Sequence, residues 1–179
     1  MDNRSKVLKE IFESYPNTLH IRLLARKTGL NQNTIINITD RLSKENLITR
    51  EKDKETNKVS IRGKTDNPMF LIEKRIYNIR KIHESGIIEY LNDKLHYPTV
   101  ILFGSYAKAE NRKGSDIDLF IISDDKKMPD LSEFERKLGT EIQVFIHTKK
   151  EFSDLKSKSR ELLNNVMNGE ILSGYVEAF

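Results

Sequence analysis

The sequence predicts an α+β chain of two small domains, and three observations lead there. Residues 1–67 carry helical apolar spacing three times and then two short alternating runs. The polar stretch Gly63-Lys64-Thr65-Asp66-Asn67-Pro68 interrupts the hydrophobic pattern with Gly and Pro. Beyond Pro98, strand-like and helix-like segments alternate, as in a small sheet covered by helices. A length of 179 residues allows one ordinary domain or two small ones. The expected organisation is a first domain over 1–67, linker helices over 68–96 and a second domain over 97–179.

The first domain opens with Val7, Leu8, Ile11 and Phe12 at helical spacing, ended by Tyr15-Pro16-Asn17. His20 to Thr28 places Ile21, Leu24 and Ala25 on one stripe and stops at Gly29. Asn31 is the expected N-cap of a third helix that turns Ile35, Ile38 and Leu42 inward. Leu47-Ile48-Thr49-Arg50 and Val59-Ser60-Ile61-Arg62, joined by the polar EKDKETNK, read as a hairpin. Ala25 and Gly29 are small where two helices would cross, and this spacing resembles a helix-turn-helix. With the basic-tipped hairpin it outlines a winged helix.

The charge distribution agrees with that outline. The whole chain holds 31 Lys plus Arg against 27 Asp plus Glu, a formal +4. Residues 1–67 hold 14 basic and 9 acidic side chains, a net +5, whereas the remainder holds 17 and 18, a net −1. On the third helix, Gln32, Asn33, Thr34, Asn37, Arg41 and Lys44 are expected to face away from the core, where amides and Arg can read base edges. Arg50, Lys52, Lys54, Lys58 and Arg62 of the hairpin would meet phosphates. Double-stranded DNA is the expected partner; the same faces would also suit a protein-binding module, and a homodimer is left open.

In the linker, Ile72, Ile76, Ile79 and Ile82 or His83 mark the expected buried stripe of an amphipathic helix, interrupted at Ser85-Gly86 before Ile87 to Leu95. Then come TVILF as a buried strand, YAKAE as a short helix, DIDLFII as a strand, LSEFERKL as a helix and EIQVFIHT as a strand. Glu151 to Asn168 reads as one long helix ending at Gly169.

The chain has no Cys, which excludes disulfides, thiolate metal sites and a Cys nucleophile, so any catalysis uses oxygen, imidazole or amine groups. The four histidines, His20, His83, His96 and His147, show no metal-ligand spacing. The longest apolar runs are strand-sized, so neither a signal peptide nor a membrane span is expected, and the location is read as cytoplasmic.

Asp116 and Asp118, one residue apart in a strand, leave the same face of the sheet. Two carboxylates so close invite a divalent cation, and an oxygen-only donor set favours Mg2+ or Mn2+ over zinc. Upstream, Gly104-Ser105 closes one strand and opens a helix, exposing backbone N–H groups where a polyphosphate could sit, with Lys108, Arg112 and Lys113 adding positive charge.

The strand, Gly-Ser turn, helix and Asp-x-Asp strand occur in an order that resembles the minimal nucleotidyltransferases of the DNA polymerase beta superfamily. The elements here are Phe103-Gly104-Ser105, the spacer from Tyr106 to Ser115, and Asp116-Ile117-Asp118-Leu119. Ser115 precedes the first Asp as in many members, and Asn168-Gly169-Glu170-Ile171-Leu172 is similar to the usual closing helix and short strand. Lys108-Ala109 stands where Arg-Gly is frequent. The resemblance implies that Asp116 and Asp118 hold the metal ions of a bound nucleoside triphosphate. It also implies that Gly104, Ser105, Lys108 and Ser115 contact the nucleotide, and that an acceptor hydroxyl attacks the α-phosphate. The acceptor is left open, a protein among the candidates.

One position departs from the family. A third carboxylate is usual on the next strand, and Gln143 occupies that position here. Glu141 lies two residues earlier, roughly 6 to 7 Å along the strand. Two functions therefore remain open: a working transferase joined to a DNA-binding module, or a regulator whose second domain senses nucleotide without turnover.

Overall fold

The computed structural model describes residues 1–177 and divides the chain into two compact units, Met1–Lys74 and a second that begins at Arg75. Each is built around its own apolar residues.

In the first unit, α1 (Asn3–Ser14) starts at Asp2, whose carboxylate accepts from the Ser5 N–H at 2.8 Å. β1 (Leu19–His20) follows, then α2 (Ile21–Thr28), which ends because Gly29 adopts the left-handed conformation at φ 70°. α3 (Gln32–Lys44) is capped by Asn31, whose side chain accepts from the Thr34 N–H at 2.8 Å. β2 (Ile48–Lys52) and β3 (Val59–Gly63) form the hairpin, and the antiparallel sheet runs β1-β3-β2. Leu24, Ile35, Leu42 and Ile61 are fully buried beside Val7, Leu8, Ile11 and Phe12. β1, which pairs Leu19 with Ile61 and His20 with Ser60, was not expected from the sequence, because two residues cannot display an alternating pattern.

α4 (Pro68–Glu84) begins at the expected break, yet the two units meet seven residues later, between Lys74 and Arg75. The physical reason is Phe70. Its ring lies edge-on to Phe12 at 5.3 Å, and a Cβ at Gly63 would fall 2.2 Å from its Cζ, so the first turn of α4 belongs to the first unit's core.

The buried stripe of α4 is only in part the one that periodicity selects, since Ile82 is buried and Ile79 packs against the core as expected. Ile72 and Ile76 are 44% and 48% exposed, whereas Phe70, Lys74, Asn78 and Ile82, four residues apart, are buried. The apolar count misleads because two of those four are polar and satisfied in place. Lys74 Nζ sits 4.3 Å from the centre of the Tyr15 ring, and Asn78 makes two hydrogen bonds described below.

In the second unit, α5 (Ile87–Lys94) leads to β4 (Thr99–Phe103), α6 (Gly104–Ala107), β5 (Ile117–Ile122), α7 (Ser132–Leu138) and β6 (Ile142–His147). α8 (Lys149–Lys158), α9 (Arg160–Met167) and β7 (Glu170–Ser173) complete it. The expected single helix over 151–168 is two helices. Ser159, at φ −153° and ψ 77°, breaks the backbone between them, and α8 starts earlier because Thr148 and Glu151 form a reciprocal capping box.

The sheet is mixed, in the order β6-β5-β4-β7, with β5 and β6 parallel and the other pairs antiparallel. Strand alternation sends Val100, Leu102, Ile117, Leu119 and Ile121 to one face, against Ile82, Leu91 and Phe134. Ile101, Phe103, Phe120 and Ile122 go to the other, against Leu155 and Val166. Among the described residues no helix is long and apolar enough to cross a membrane.

Candidate active site

Because side chains alternate along a strand, Asp116 and Asp118 project on the face that carries Phe120, where β5 leaves the loop. Asp118 is paired with Phe103 at the end of β4, so its carboxylate lies beside the turn that follows. Gly104 makes that closeness feasible. Its φ is 68°, which favours glycine, and a Cβ there would stand 2.2 Å from Asp118 Oδ2.

The segment after Gly104 is tied to itself. The Ser105 carbonyl accepts from the N–H groups of Glu110 and Asn111, at 2.9 and 3.2 Å, which closes a compact arm over residues 105–111. Lys108 caps α6 and is exposed, as are Arg112 and Lys113. Ser115 shapes the loop: its hydroxyl accepts from the Arg112 N–H at 2.9 Å, and its carbonyl accepts from Thr140 Oγ1 at 2.6 Å. Thr140 was not singled out in the sequence, since a threonine before a strand carries no motif.

Gln143 on β6 stands opposite Asp118 in the parallel ladder, and its side-chain amide donates to Asp116 Oδ2 at 2.8 Å. The three side chains therefore share one face. Glu141 precedes β6 and is exposed; its carbonyl accepts from the Ile117 N–H at 3.0 Å. His147 is stacked on Phe120 at 4.8 Å, with its Nδ1 buried and unpartnered among the described residues, and so belongs to the packing of that face.

Burial, and then the neighbouring charge of Asp116, push the Asp118 carboxyl above its usual range. A cation between the two carboxylates would relieve that repulsion. Among the described residues no group of three or more His, Cys, Asp or Glu could hold a metal. The pair still fits Mg2+, which is commonly bound by one or two carboxylates together with substrate phosphates rather than by an all-protein cage.

Comparison with known proteins agrees with this geometry. The polymerase beta nucleotidyltransferase family matches residues 85–175, from the end of α4 to beyond β7. The chain belongs to that family. The nucleotidyltransferase domain thus includes the Gly104 turn, both aspartates and Gln143. It is also similar to a Methanocaldococcus jannaschii protein named as a protein adenylyltransferase, 36% identical over 61 residues, covering 30% of this chain and 61% of that one. The similarity therefore spans about six-tenths of the relative's length. No solved structure gives a significant match.

The first unit holds the other candidate residues. Gln32, Asn33, Asn37, Arg41 and Lys44 are exposed along α3, and Thr34 is half-buried. Lys52, Lys54 and Lys58 are exposed at the hairpin, whose tip is held by Asp53 accepting from the Glu55 and Thr56 N–H groups. Arg62 is exposed and donates to the Thr18 hydroxyl. Arg50 differs: it is ion-paired with Asp40 and its side chain is only 18% exposed, which leaves it less free than the hairpin lysines to meet a phosphate.

Proposed function

We propose that the chain is a winged helix-turn-helix DNA-binding protein joined to a Mg2+- or Mn2+-dependent nucleotidyltransferase. The transferase moves a nucleoside monophosphate from a nucleoside triphosphate to a protein hydroxyl. The observation that carries the proposal is the close approach of Asp118 to the left-handed Gly104 turn, with Asp116 on the same strand face. The name of the Methanocaldococcus jannaschii relative favours adenylate as the group transferred and a protein as the acceptor.

Asp116 and Asp118 would hold the metal, which when bound neutralises the triphosphate and the charge that develops on transfer. Gly104 and Ser105 let the β- and γ-phosphates approach the backbone, and exposed Lys108 and Arg112 add positive charge. Gln143 holds Asp116 in place. The acceptor oxygen forms a bond to the α-phosphorus while the bond to the β-phosphate bridging oxygen breaks, releasing pyrophosphate. The hydroxyl proton goes to water at this open site, because an amide at position 143 cannot take it.

The three helices, the antiparallel β1-β3-β2 sheet and the exposed α3 and hairpin cations support the DNA-binding part. A cytoplasmic location suits these partners. Incubation with ATP labelled at the α-phosphate, Mg2+ and candidate protein acceptors, alongside Asp116→Ala, tests the transfer. Label should enter an acceptor only with metal and only with Asp116 intact. Absence of metal-dependent transfer, or transfer that survives the substitution, refutes it.

Gln143 favours a second reading, in which the domain binds nucleotide as a sensor for the DNA-binding unit without turning over. That reading predicts Mg2+-dependent ATP binding with no pyrophosphate release; release abolished by Asp118→Ala would eliminate it.

A further inference from the structure

α4 contributes a side chain that no motif singles out. Asn78 is 1% exposed, and its amide nitrogen donates to the Tyr106 carbonyl and to Asn111 Oδ1, each at 2.9 Å. Both hydrogens of the amide are thereby used. Tyr106 follows Gly104-Ser105 directly in α6, and the Asn111 N–H in turn donates to the Ser105 carbonyl. Asn78 thus grips the outgoing and the returning limbs of the arm that begins at the Gly104 turn.

The arm needs such a hold. Tyr106, Ala107 and Ala109 pack inward, but Lys108 and Glu110 are exposed, and Ala109 is held at φ 58°, a conformation that an alanine keeps only when its surroundings impose it. An apolar side chain would fill the stripe beside Ile82 without the cost of burying an amide, but it could not donate to two oxygens. Asn78 also lies outside residues 85–175, so this contact comes from a helix that the family match does not include.

We propose that Asn78 is a positioning residue for triphosphate binding, its two donors holding the 105–111 arm so that the Gly104-Ser105 backbone stays aligned with Asp118. The inference rests on the nucleotidyltransferase reading of that arm. It requires donation, not merely occupancy, from position 78.

The test uses the full chain with three substitutions. Asn78→Asp keeps the shape but replaces donors with acceptors, Asn78→Ala removes the group, and Ile82→Ala loosens the same helix face without removing a hydrogen-bond donor to the arm. Mg2+-ATP affinity should fall by about tenfold or more in both Asn78 variants, the scale of losing buried hydrogen bonds, and much less in Ile82→Ala. Mn2+ binding without nucleotide, which reads Asp116 and Asp118, should be unaffected. Amide exchange in the nucleotide-free protein should quicken over 105–111 in the Asn78 variants while β4 and β5 stay protected. Wild-type ATP affinity in Asn78→Asp, unchanged exchange over 105–111, or an equal loss in Ile82→Ala would overturn the inference alone. Failure of the wild type to bind ATP with Mg2+ would overturn the nucleotidyltransferase reading, and the role of Asn78 with it.

Discussion

Replacing Gly104 with Ala perturbs Asp118 through one methyl group. An alanine at φ 68° carries a left-handed penalty of about 1–2 kcal/mol. Its Cβ would also stand 2.2 Å from Asp118 Oδ2, so one of the two must move by roughly 1 Å to restore van der Waals contact. Because the obstructing atom is the end of a rotatable side chain, Asp118 gives way at little cost in stability and loses its position instead. Gly139 provides the control, at φ 71° with open space where a Cβ would go. Gly104→Ala and Gly139→Ala should therefore lose similar stability, about 1–2 kcal/mol, or roughly 4–8 °C in melting temperature per kcal/mol for a domain of this size. Only Gly104→Ala should weaken Mn2+ binding, by about tenfold, equivalent to ~1.4 kcal/mol. Thermal melts and a Mn2+ titration followed by electron paramagnetic resonance separate the two effects. Undiminished Mn2+ affinity in Gly104→Ala, or an equal loss in Gly139→Ala, would refute the placement of Asp118 against the turn.

The titrating carboxylates and the exposed cations give further expected outcomes. Asp118 holds its proton to higher pH in the folded state than in the unfolded chain. The stability it contributes is complete below the usual carboxylate range and is lost as pH rises through the raised value. Metal-free Asp118→Asn should thus melt above the wild type at neutral pH and lose that advantage in acid; an advantage independent of pH would contradict the burial of Asp118 beside Asp116. Glu151 behaves oppositely, lowered to about 2 by the Lys126 ammonium and then by the Thr148 N–H. Its contribution is present above the usual Glu range and fades as pH falls toward that value, so Glu151→Gln should flatten the acid limb of the melting curve, and Thr148→Ala should cost about 1 kcal/mol through the lost cap. Neutralising both Lys52 and Lys58 of the hairpin should weaken duplex DNA binding similarly at unrelated sequences, and reduce the slope of log affinity against log salt by about 0.9 for each phosphate contact removed. An unchanged slope measured by fluorescence anisotropy would exclude that role.

Much of the second unit was legible because strand alternation and short motifs act locally. TVILF and DIDLFII are apolar enough to be strands, and the one-residue spacing of Asp116 and Asp118 puts both on one face in any strand. Asn31 and Gly29 bound their helices through side-chain acceptance and a left-handed backbone, both local effects. What escaped depends on distant partners. The inward face of α4 is chosen by Phe12 and Gly63 around Phe70, and by Tyr106 and Asn111 around Asn78, so its polar members outrank the exposed Ile72 and Ile76. β1 exists only because β3 offers a free edge to Leu19 and His20. The break at Ser159 has no Gly or Pro to announce it. The bond from Gln143 to Asp116 likewise depends on the parallel pairing of β5 with β6, which no local pattern encodes.

The central claim is that Asp116 and Asp118, beside the Gly104 turn, hold a divalent cation and a triphosphate together. Crystals soaked with ATP and Mn2+ test it most directly through anomalous scattering. Manganese should lie within bonding distance of both carboxylates, with the β- and γ-phosphates against Gly104 and Ser105. Manganese or nucleotide bound elsewhere on the chain, with the two aspartates bare, would contradict it.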